Sequence, residues 1–379
     1  MYIPQKQLEN LQAAVSPGKV VVLYGARRTG KTTLLKAYLK SEQTPYLFVS
    51  GEDIAVQNYL ASCSVEKLKA FLGKNQLLVV DEAQQVPDIG VNLKLIVDHI
   101  PGIKVIATGS SAFDLARNIG EPLTGRKTTL KLYPLAQLEI SRIEQRYQTD
   151  SNLENRLIYG SYPEVVVTTD NQTREQYLKE IIAAYLYKDI LELDGIRHSD
   201  KISRLLQLIA FQIGKEVSYT ELSGALGMSK NTVERYLDLL EKAFVLQKLS
   251  GFSRNLRSEI TKNCRYYFLD TGIRNALINN FNPLQLRNDV GQLWENYLVM
   301  ERLKMQAYFR KTSNNYFWRT YRQQELDFVE EREGHLFGYE FKWGKGRVKP
   351  PTEWQTAYPE ARFNQINQEN YLAFIDAAE

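Results

Sequence analysis

Gly25, Gly30, Lys31 and Thr32 stand in the pattern G-x-x-x-x-G-K-T within VVVLYGARRTGKTTLL, residues 20–35. A short apolar run precedes the pattern and a helix-like LLKAYL follows it, the strand–loop–helix setting that a phosphate-binding loop needs. Glycines let backbone N–H groups wrap an anion, and the positive end of the following helix favours negative charge. Gly25, Arg28, Thr29, Gly30 and Thr33 are assigned with the motif to a nucleotide. Lys31 is expected to reach the β- and γ-phosphates, and the Thr32 hydroxyl to hold Mg2+. The bland alternative is a glycine-rich turn before a helix.

A second run, QLLVVDE at residues 76–82, is apolar throughout and ends in two carboxylates. Continuous hydrophobicity suits a parallel strand buried on both faces, whose C-terminal end presents ligands. Asp81 is then expected to hold Mg2+ through water, and Glu82 to polarise the attacking water. A third strand, ending at Ala107, leads into Thr108-Gly109-Ser110-Ser111. Either Thr108 or Ser110 could sit between the γ-phosphate and that water. Arg126, in LTGRKTTLKLYPL, could stabilise transition-state charge in cis or from a neighbouring subunit, or be an ordinary surface arginine. No Asn-Lys-x-Asp guanine-reading motif is present, so ATP is preferred to GTP.

Near the C-terminus, GYEFKW at residues 338–343 places Glu340 and Lys342 two apart, on one face of a strand. Upstream lie GQLWENYLVMERLK, an amphipathic helix carrying Glu295, then YFWRT, then QQELDFVEE carrying Asp327. Glu–Lys pairs two apart are common on charged edge strands. The order of helix, strand, strand and strand narrows that reading.

The elements between these groups read as three helices and a wing. Periodicity predicts helices at 201–213, after Ser218, and at 230–243. Ser218-Tyr219-Thr220-Glu221 fits a capping box, and Ser229 caps the third helix. Strands near 245–248 and 265–269 would form the wing. In a DNA-reading version Lys230, Asn231, Thr232 and Arg235 enter the major groove, while Arg254, Arg257 and Lys262 meet phosphates. Residues 245–322 hold 13 Lys/Arg against 5 Asp/Glu, a local excess that suits a polyanion. The alternative is a protein-packing module, since the third helix also carries Glu234, Asp238 and Glu241, which phosphate repels.

The whole chain, 379 residues with 44% hydrophobic and 24% charged content, is that of a globular protein of two or three domains. A net charge of +4 by itself selects no partner. Two distant cysteines, Cys63 and Cys264, match no metal-ligand spacing and suit a reducing interior. No apolar leader or membrane-length run is visible, so a cytoplasmic location is expected.

GARRTGKTT, VVDEAQ, ATGSS, LTGR and LYPL, in this order, resemble the prokaryotic AAA+-type ATPases of the extended archaeal-ATPase group. The remainder is similar to the partner region of uncharacterised function fused to such ATPases. Ala26-Arg27-Arg28-Thr29 departs from the usual loop, where proline and glutamine are common. The C-terminal order resembles the PD-(D/E)XK nuclease fold of restriction enzymes and junction resolvases. That resemblance implies Asp327 and Glu340 on one Mg2+ with the Phe341 carbonyl, Glu295 as a further ligand or water holder, and Lys342 orienting or deprotonating the attacking water.

The expected fold class is therefore α/β: an AAA+-like P-loop NTPase with a parallel sheet, followed by a winged helix-turn-helix and a restriction-endonuclease-like α/β domain. The expected boundaries are 1–140 for the ATPase, 141–196 for a helical lid or connector, 197–282 for the winged helix and 283–379 for the nuclease-like domain. ATP, Mg2+ and DNA are the expected cofactors and partner, with a homo-oligomer or a protein partner possible and no membrane.

Overall fold

A computed structural model of the chain describes residues 2–110, 123–184, 199–254 and 264–376. It divides into two compact units. The first runs to Pro134 and takes in Lys242–Phe244; the second begins at Leu135.

The first unit is built on a five-stranded parallel sheet of order β2-β3-β4-β1-β5, with β1 Val20–Gly25, β2 Tyr46–Ser50, β3 Leu77–Asp81, β4 Lys104–Gly109 and β5 Lys127–Leu132. Alternate residues of β1 enter different cores: Val20 and Val22 pack with Leu78, Val80 and Leu93, whereas Val21 and Leu23 pack with Leu34, Leu35 and Leu132. Burial on both faces explains the unbroken apolar runs. Each such fully buried side chain stabilises by roughly 1.5–3 kcal/mol. Parallel pairing brings the C-terminal ends of β1, β3 and β4 to one edge, with Leu23 opposite Thr108 and Val80 opposite Ala107.

The second unit holds a seven-stranded sheet of order β12-β11-β10-β9-β7-β8-β6. Its strands are β6 Glu216–Val217, β7 Leu246–Gly251, β8 Cys264–Phe268, β9 Asn314–Arg319, β10 Glu325–Arg332, β11 His335–Phe341 and β12 Arg362–Ile366. β6 follows the helix Ser199–Phe211, the helices Tyr219–Leu226 and Lys230–Lys242 come next, and β7 and β8 complete an antiparallel set with β6, the order of a helix-turn-helix with a wing. Ser218 caps the second helix through the Glu221 N–H, and Gly227 closes it in the left-handed region. β6 was not legible in the sequence, being two residues long.

β7 pairs with β9 in parallel, Ser250 opposite Tyr316 and Gly251 opposite Phe317, so the wing and the C-terminal strands share one sheet. The helices from Gln137 to Ile181 fall in the second unit. Buried polar bonds hold them there: the Ser161 N–H donates to Asp270 at 2.7 Å, the Thr271 hydroxyl to the Arg156 carbonyl at 2.9 Å, and Asn275 to the Leu157 and Ile158 carbonyls.

Candidate phosphate loop and an arginine-centred acidic cluster

The turn between β1 and the helix Lys31–Leu39 carries Arg28 at φ 62° and Gly30 at φ 97°, both in the left-handed region. Backbone N–H groups turned inward by such a sequence make an anion-binding concavity. Gly25 is demanded by a close approach: a Cβ there would lie 2.2 Å from the Leu132 carbonyl oxygen of β5. Lys31 is buried, its Nζ donating to the Gly25 and Ala26 carbonyls at 2.9 and 3.0 Å. The Thr29 hydroxyl donates to the Ala26 carbonyl at 2.8 Å, and Thr33 follows Thr32 on the helix. One contributor went unseen in the sequence. Gln5, buried, donates through Nε2 to the Thr29 carbonyl at 2.9 Å and braces the loop from the N-terminal segment.

Asp81 joins the neighbouring elements. Its Oδ2 accepts from the Thr32 hydroxyl at 2.6 Å, and its Oδ1 from the Thr108 hydroxyl. Thr108 in turn accepts from the Glu82 N–H at 3.2 Å. Of the two candidates at the end of β4, Thr108 is therefore the one on Asp81. Ser110 meets Gln84, whose Nε2 also donates to Glu82 Oε2 at 2.6 Å. The Gln84 Oε1 atom is buried with no hydrogen-bond partner among the described residues. A hydroxyl and a carboxylate oxygen 2.6 Å apart beside a buried lysine suit a nucleotide triphosphate with its Mg2+: hard oxygen donors for the cation, an ammonium and backbone N–H groups for the phosphates.

Arg126 does not join them. Val20, opposite Lys127, begins β1, and the Val20 N–H donates to the Arg126 carbonyl at 2.8 Å. Arg126 therefore lies at the N-terminal edge of the sheet, while the loop lies at the C-terminal edge, ~17 Å along the strand at ~3.3 Å per residue. Its Nε pairs with Asp98 at 2.9 Å. A role for Arg126 at its own chain's loop is corrected on that ground: proximity in sequence ran down a strand whose direction parallel pairing fixes.

In the second unit the structure does bring Glu295, Asp327, Glu340 and Lys342 together. Glu295 lies on the helix Val290–Tyr308; Asp327 sits where the β9–β10 register shifts, between Leu326 and Val329, a bulge that re-aims side chains. The group at the centre is one the sequence reading left out, Arg265 of β8. Its Nη1 lies 3.3 Å from Glu295 Oε1 and 3.9 Å from Asp327 Oδ1, and its Nη2 lies 2.8 Å from Glu325 Oε2. Its guanidinium stacks 4.5 Å over the Phe317 ring. Tyr267 donates its hydroxyl to Glu295 at 2.7 Å, and the Phe341 N–H, not its carbonyl, faces Asp327 at 2.8 Å.

The crowding of carboxylates is legible in their protonation. Burial pushes Glu295 up to about 7, against the opposing pull of Arg265 and Tyr267. Asp327 is raised well above the usual range by burial and by the neighbouring Glu295 and Glu340 charges. Burial disfavours the Arg265 guanidinium, yet the surrounding phenol and carboxylates hold it more firmly charged than a free arginine.

These residues do not fit the metal centre that the nuclease resemblance implies. Among the described residues no group of three or more His, Cys, Asp or Glu is arranged to hold a metal ion. Arg265 supplies the central positive charge, and Glu340 is taken by Lys342 at 2.8 Å. Glu295, Asp327 and Glu340 thus stand around Arg265 and Lys342. Burial disfavours the Lys342 ammonium, but the bond to Glu340 outweighs burial and raises its pKa.

On the third helix of the helix-turn-helix, Lys230, Asn231 and Arg235 are exposed, as are Glu234 and Asp238. Thr232 is half-buried and closes the helix start, its hydroxyl 2.8 Å from Ser229 Oγ. Arg254 is exposed and stacks 5.4 Å over Tyr358. Arg257 and Lys262 lie outside the described residues.

Comparison with known proteins follows the same division. Residues 17–141 match the model of an AAA domain, while 150–284 and 290–367 each match a domain of unknown function, DUF8612 and DUF4143. The chain is 28% identical over 336 residues to the uncharacterised protein Rv2008c of Mycobacterium tuberculosis, covering 88% of this chain and 72% of that one. It is 25% identical to the uncharacterised protein MJ1544 of Methanocaldococcus jannaschii, covering 84% and 74%. Among solved structures, the Walker-type ATPase PABY2304 of Pyrococcus abyssi aligns with a TM-score of 0.46 at 16% identity, over 72% of this chain and 93% of that one. A STAND protein with a tetratricopeptide-repeat sensor from Pyrococcus horikoshii aligns at 0.32 and 13% identity, over 81% and 47%. No described helix is long and apolar enough to cross a membrane. The AAA match spans the strands and loop that gather Lys31, Thr32, Asp81 and Thr108, and the first unit has a P-loop NTPase fold.

Proposed function

We propose that the chain binds and hydrolyses ATP in its first unit and binds DNA through its second without cleaving it. The observation that carries the ATPase reading is the convergence of Lys31, Thr32, Asp81 and Thr108 at one sheet edge. In this reading Lys31 leaves the Gly25 and Ala26 carbonyls for the β- and γ-phosphates. Thr32 and, through water, Asp81 would hold a Mg2+ ion, which would supply positive charge against the phosphates. Glu82 accepts a proton from the attacking water as the bond to the γ-phosphorus forms and the β–γ bridging bond breaks. Gln84 holds the Glu82 carboxylate in place.

The exposed Lys230, Asn231 and Arg235 support DNA contact by the third helix, and the arginine-centred cluster supports a scaffold that does not cut. Glu234 and Asp238 on the same helix favour a second reading, a nucleotide-switched module that grips a protein partner. Arg126 acting on the loop of a second copy belongs to the same set of proposals.

The test is the ATPase rate with and without duplex, junction and single-stranded DNA, alongside a cleavage assay in Mg2+ or Mn2+. The expected result is stimulated turnover and intact DNA. Absence of ATP hydrolysis overturns the first part. Metal-dependent cleavage abolished by Asp327→Ala overturns the claim that the second unit only binds. DNA-indifferent turnover with no salt-sensitive DNA binding favours the protein-partner reading.

A further inference from the structure

A cleft of about 1510 Å3 opens in the second unit at the strand ends remote from the arginine-centred cluster, where β9 and β12 begin and β10 turns into β11. On β10 alone it is separated from Asp327 by four residues, ~13 Å at ~3.3 Å each. Its cations come from separate elements: Arg310 and Lys311 just past the helix Val290–Tyr308, Arg332 at the end of β10, and Arg362 at the start of β12. Among the described residues Glu331 and Glu333 are its only lining acids, so that lining carries a positive excess even with His335 neutral.

Two of those cations share one aromatic ring. The Arg332 and Arg362 guanidinia lie 4.2 and 5.6 Å from the centroid of one ring, Phe337 of β11. Arg332 Nε has Glu330 at 3.6 Å. Arg362 is exposed, and no carboxylate among the described residues lies within ion-pair distance of it. The Phe337 ring supports both guanidinia, and exposed Arg362 offers the planar fork of N–H donors that meets phosphate oxygens.

Size and lining choose the class of ligand. The cleft exceeds the ~300–1,000 Å3 of ordinary small-molecule pockets. Of its aromatic members, Phe337 and Tyr339 are buried and Phe363 is half-buried, while charged and polar side chains supply most of the lining residues. Thr312, Ser313 and Asn364 add neutral donors. We infer that this cleft grips a nucleic-acid strand by its phosphate backbone, without reading its sequence. The inference rests on the DNA-binding reading above for its ligand class, but on different residues from the third helix.

The experiment is fluorescence anisotropy of the full chain with a labelled 30-nucleotide single strand and its duplex, titrated across salt concentration. Four proteins are compared: wild type, Lys311→Glu/Arg362→Glu, the charge-keeping Lys311→Arg/Arg362→Lys, and Lys230→Glu/Arg235→Glu. The expected result is that the cleft reversal weakens binding tenfold or more and lowers the salt slope by about two contacts, at ~0.7–0.9 per phosphate, while the charge-keeping variant binds normally. Arg362→Gln alone, an exposed change that leaves the melting temperature unmoved, is expected to weaken binding several-fold. Loss of binding only in the third-helix variant overturns the cleft and leaves the DNA reading standing. No binding by wild type at low salt, or a salt slope unchanged by either reversal, overturns both.

Discussion

Arg265 Nη1 lies 3.3 Å from Glu295 Oε1, joining a wing strand to the helix Val290–Tyr308 across 30 residues of sequence. Removing the cation leaves Glu295, Glu325 and Asp327 facing one another. Arg265→Ala is expected to destabilise the second unit by about 3–5 kcal/mol, as loss of one partner from a buried pair does. Adding Glu295→Gln should recover part of that loss. Denaturant unfolding of the single and double variants checks both, and an additive double variant contradicts the pairing.

Glu295 holds its proton more tightly folded than unfolded, because burial outweighs Arg265 and Tyr267 and because Glu325 and Glu340 oppose its charge. The folded state therefore carries the extra proton between about pH 4.5 and 7, and stability falls as pH rises through that window. The contribution lost is about 3 kcal/mol at ~1.4 kcal/mol per pKa unit. The raised Asp327 adds to the same direction. Glu295→Gln is expected to flatten the fall and to gain most over wild type near pH 8, measured by thermal melts from pH 5 to 8.

At the phosphate loop, Lys31→Ala should abolish measurable ATP binding by equilibrium dialysis, since its buried ammonium sits against the loop carbonyls at the helix start. Glu82→Gln should keep binding while turnover falls by about 100- to 10,000-fold, the usual range for a proton acceptor in the transition state. Equal loss of binding in both variants contradicts the division of roles.

Gln84 donates to Glu82 and to Ser110, so it acts through Glu82 as a positioning residue. Gln84→Ala is expected to lower kcat about tenfold with KM within twofold, as loss of an interaction made in the transition state does. Gln84→Glu sets carboxylate against carboxylate and should lower kcat further. A matched rise in KM would point instead to a nucleotide contact.

Gly160 meets Asp270 closely: a Cβ there would lie 1.9 Å from Asp270 Oδ1. Asp270 is buried and caps the helix Thr271–Leu277 through the Gly272 and Ile273 N–H groups. Gly160 also stands at φ 76°. Gly160→Ala is expected to cost more than the ~1 kcal/mol of an ordinary surface change, seen as a lowered melting temperature with the ATPase rate intact.

The phosphate loop was readable because its chemistry is local. Residues 25–33 carry the loop themselves, and an apolar run ending in Asp81 marks its strand without reference to anything distant. Glu295, Asp327, Glu340 and Lys342 were also found, and they do converge. What was misread is the charge at their centre. Arg265 lies in CRYYF, an ordinary strand in sequence, and only the β7–β8–β9 pairing carries it to acids 30 to 62 residues away. Gln5 escaped for the same reason, since its partner Thr29 is 24 residues distant. Arg126 shows the converse: nearness to the segment after β4 suggested a shared site, but five parallel residues separate the two sheet edges.

The parallel ladder of Ser250 and Gly251 with Tyr316 and Phe317 also decides how the molecule can be taken apart. A gene split after residue 282 would cut through a ladder and give two fragments with raw strand borders, prone to clump. Anyone shuffling these modules must keep β7 and β9 on one piece.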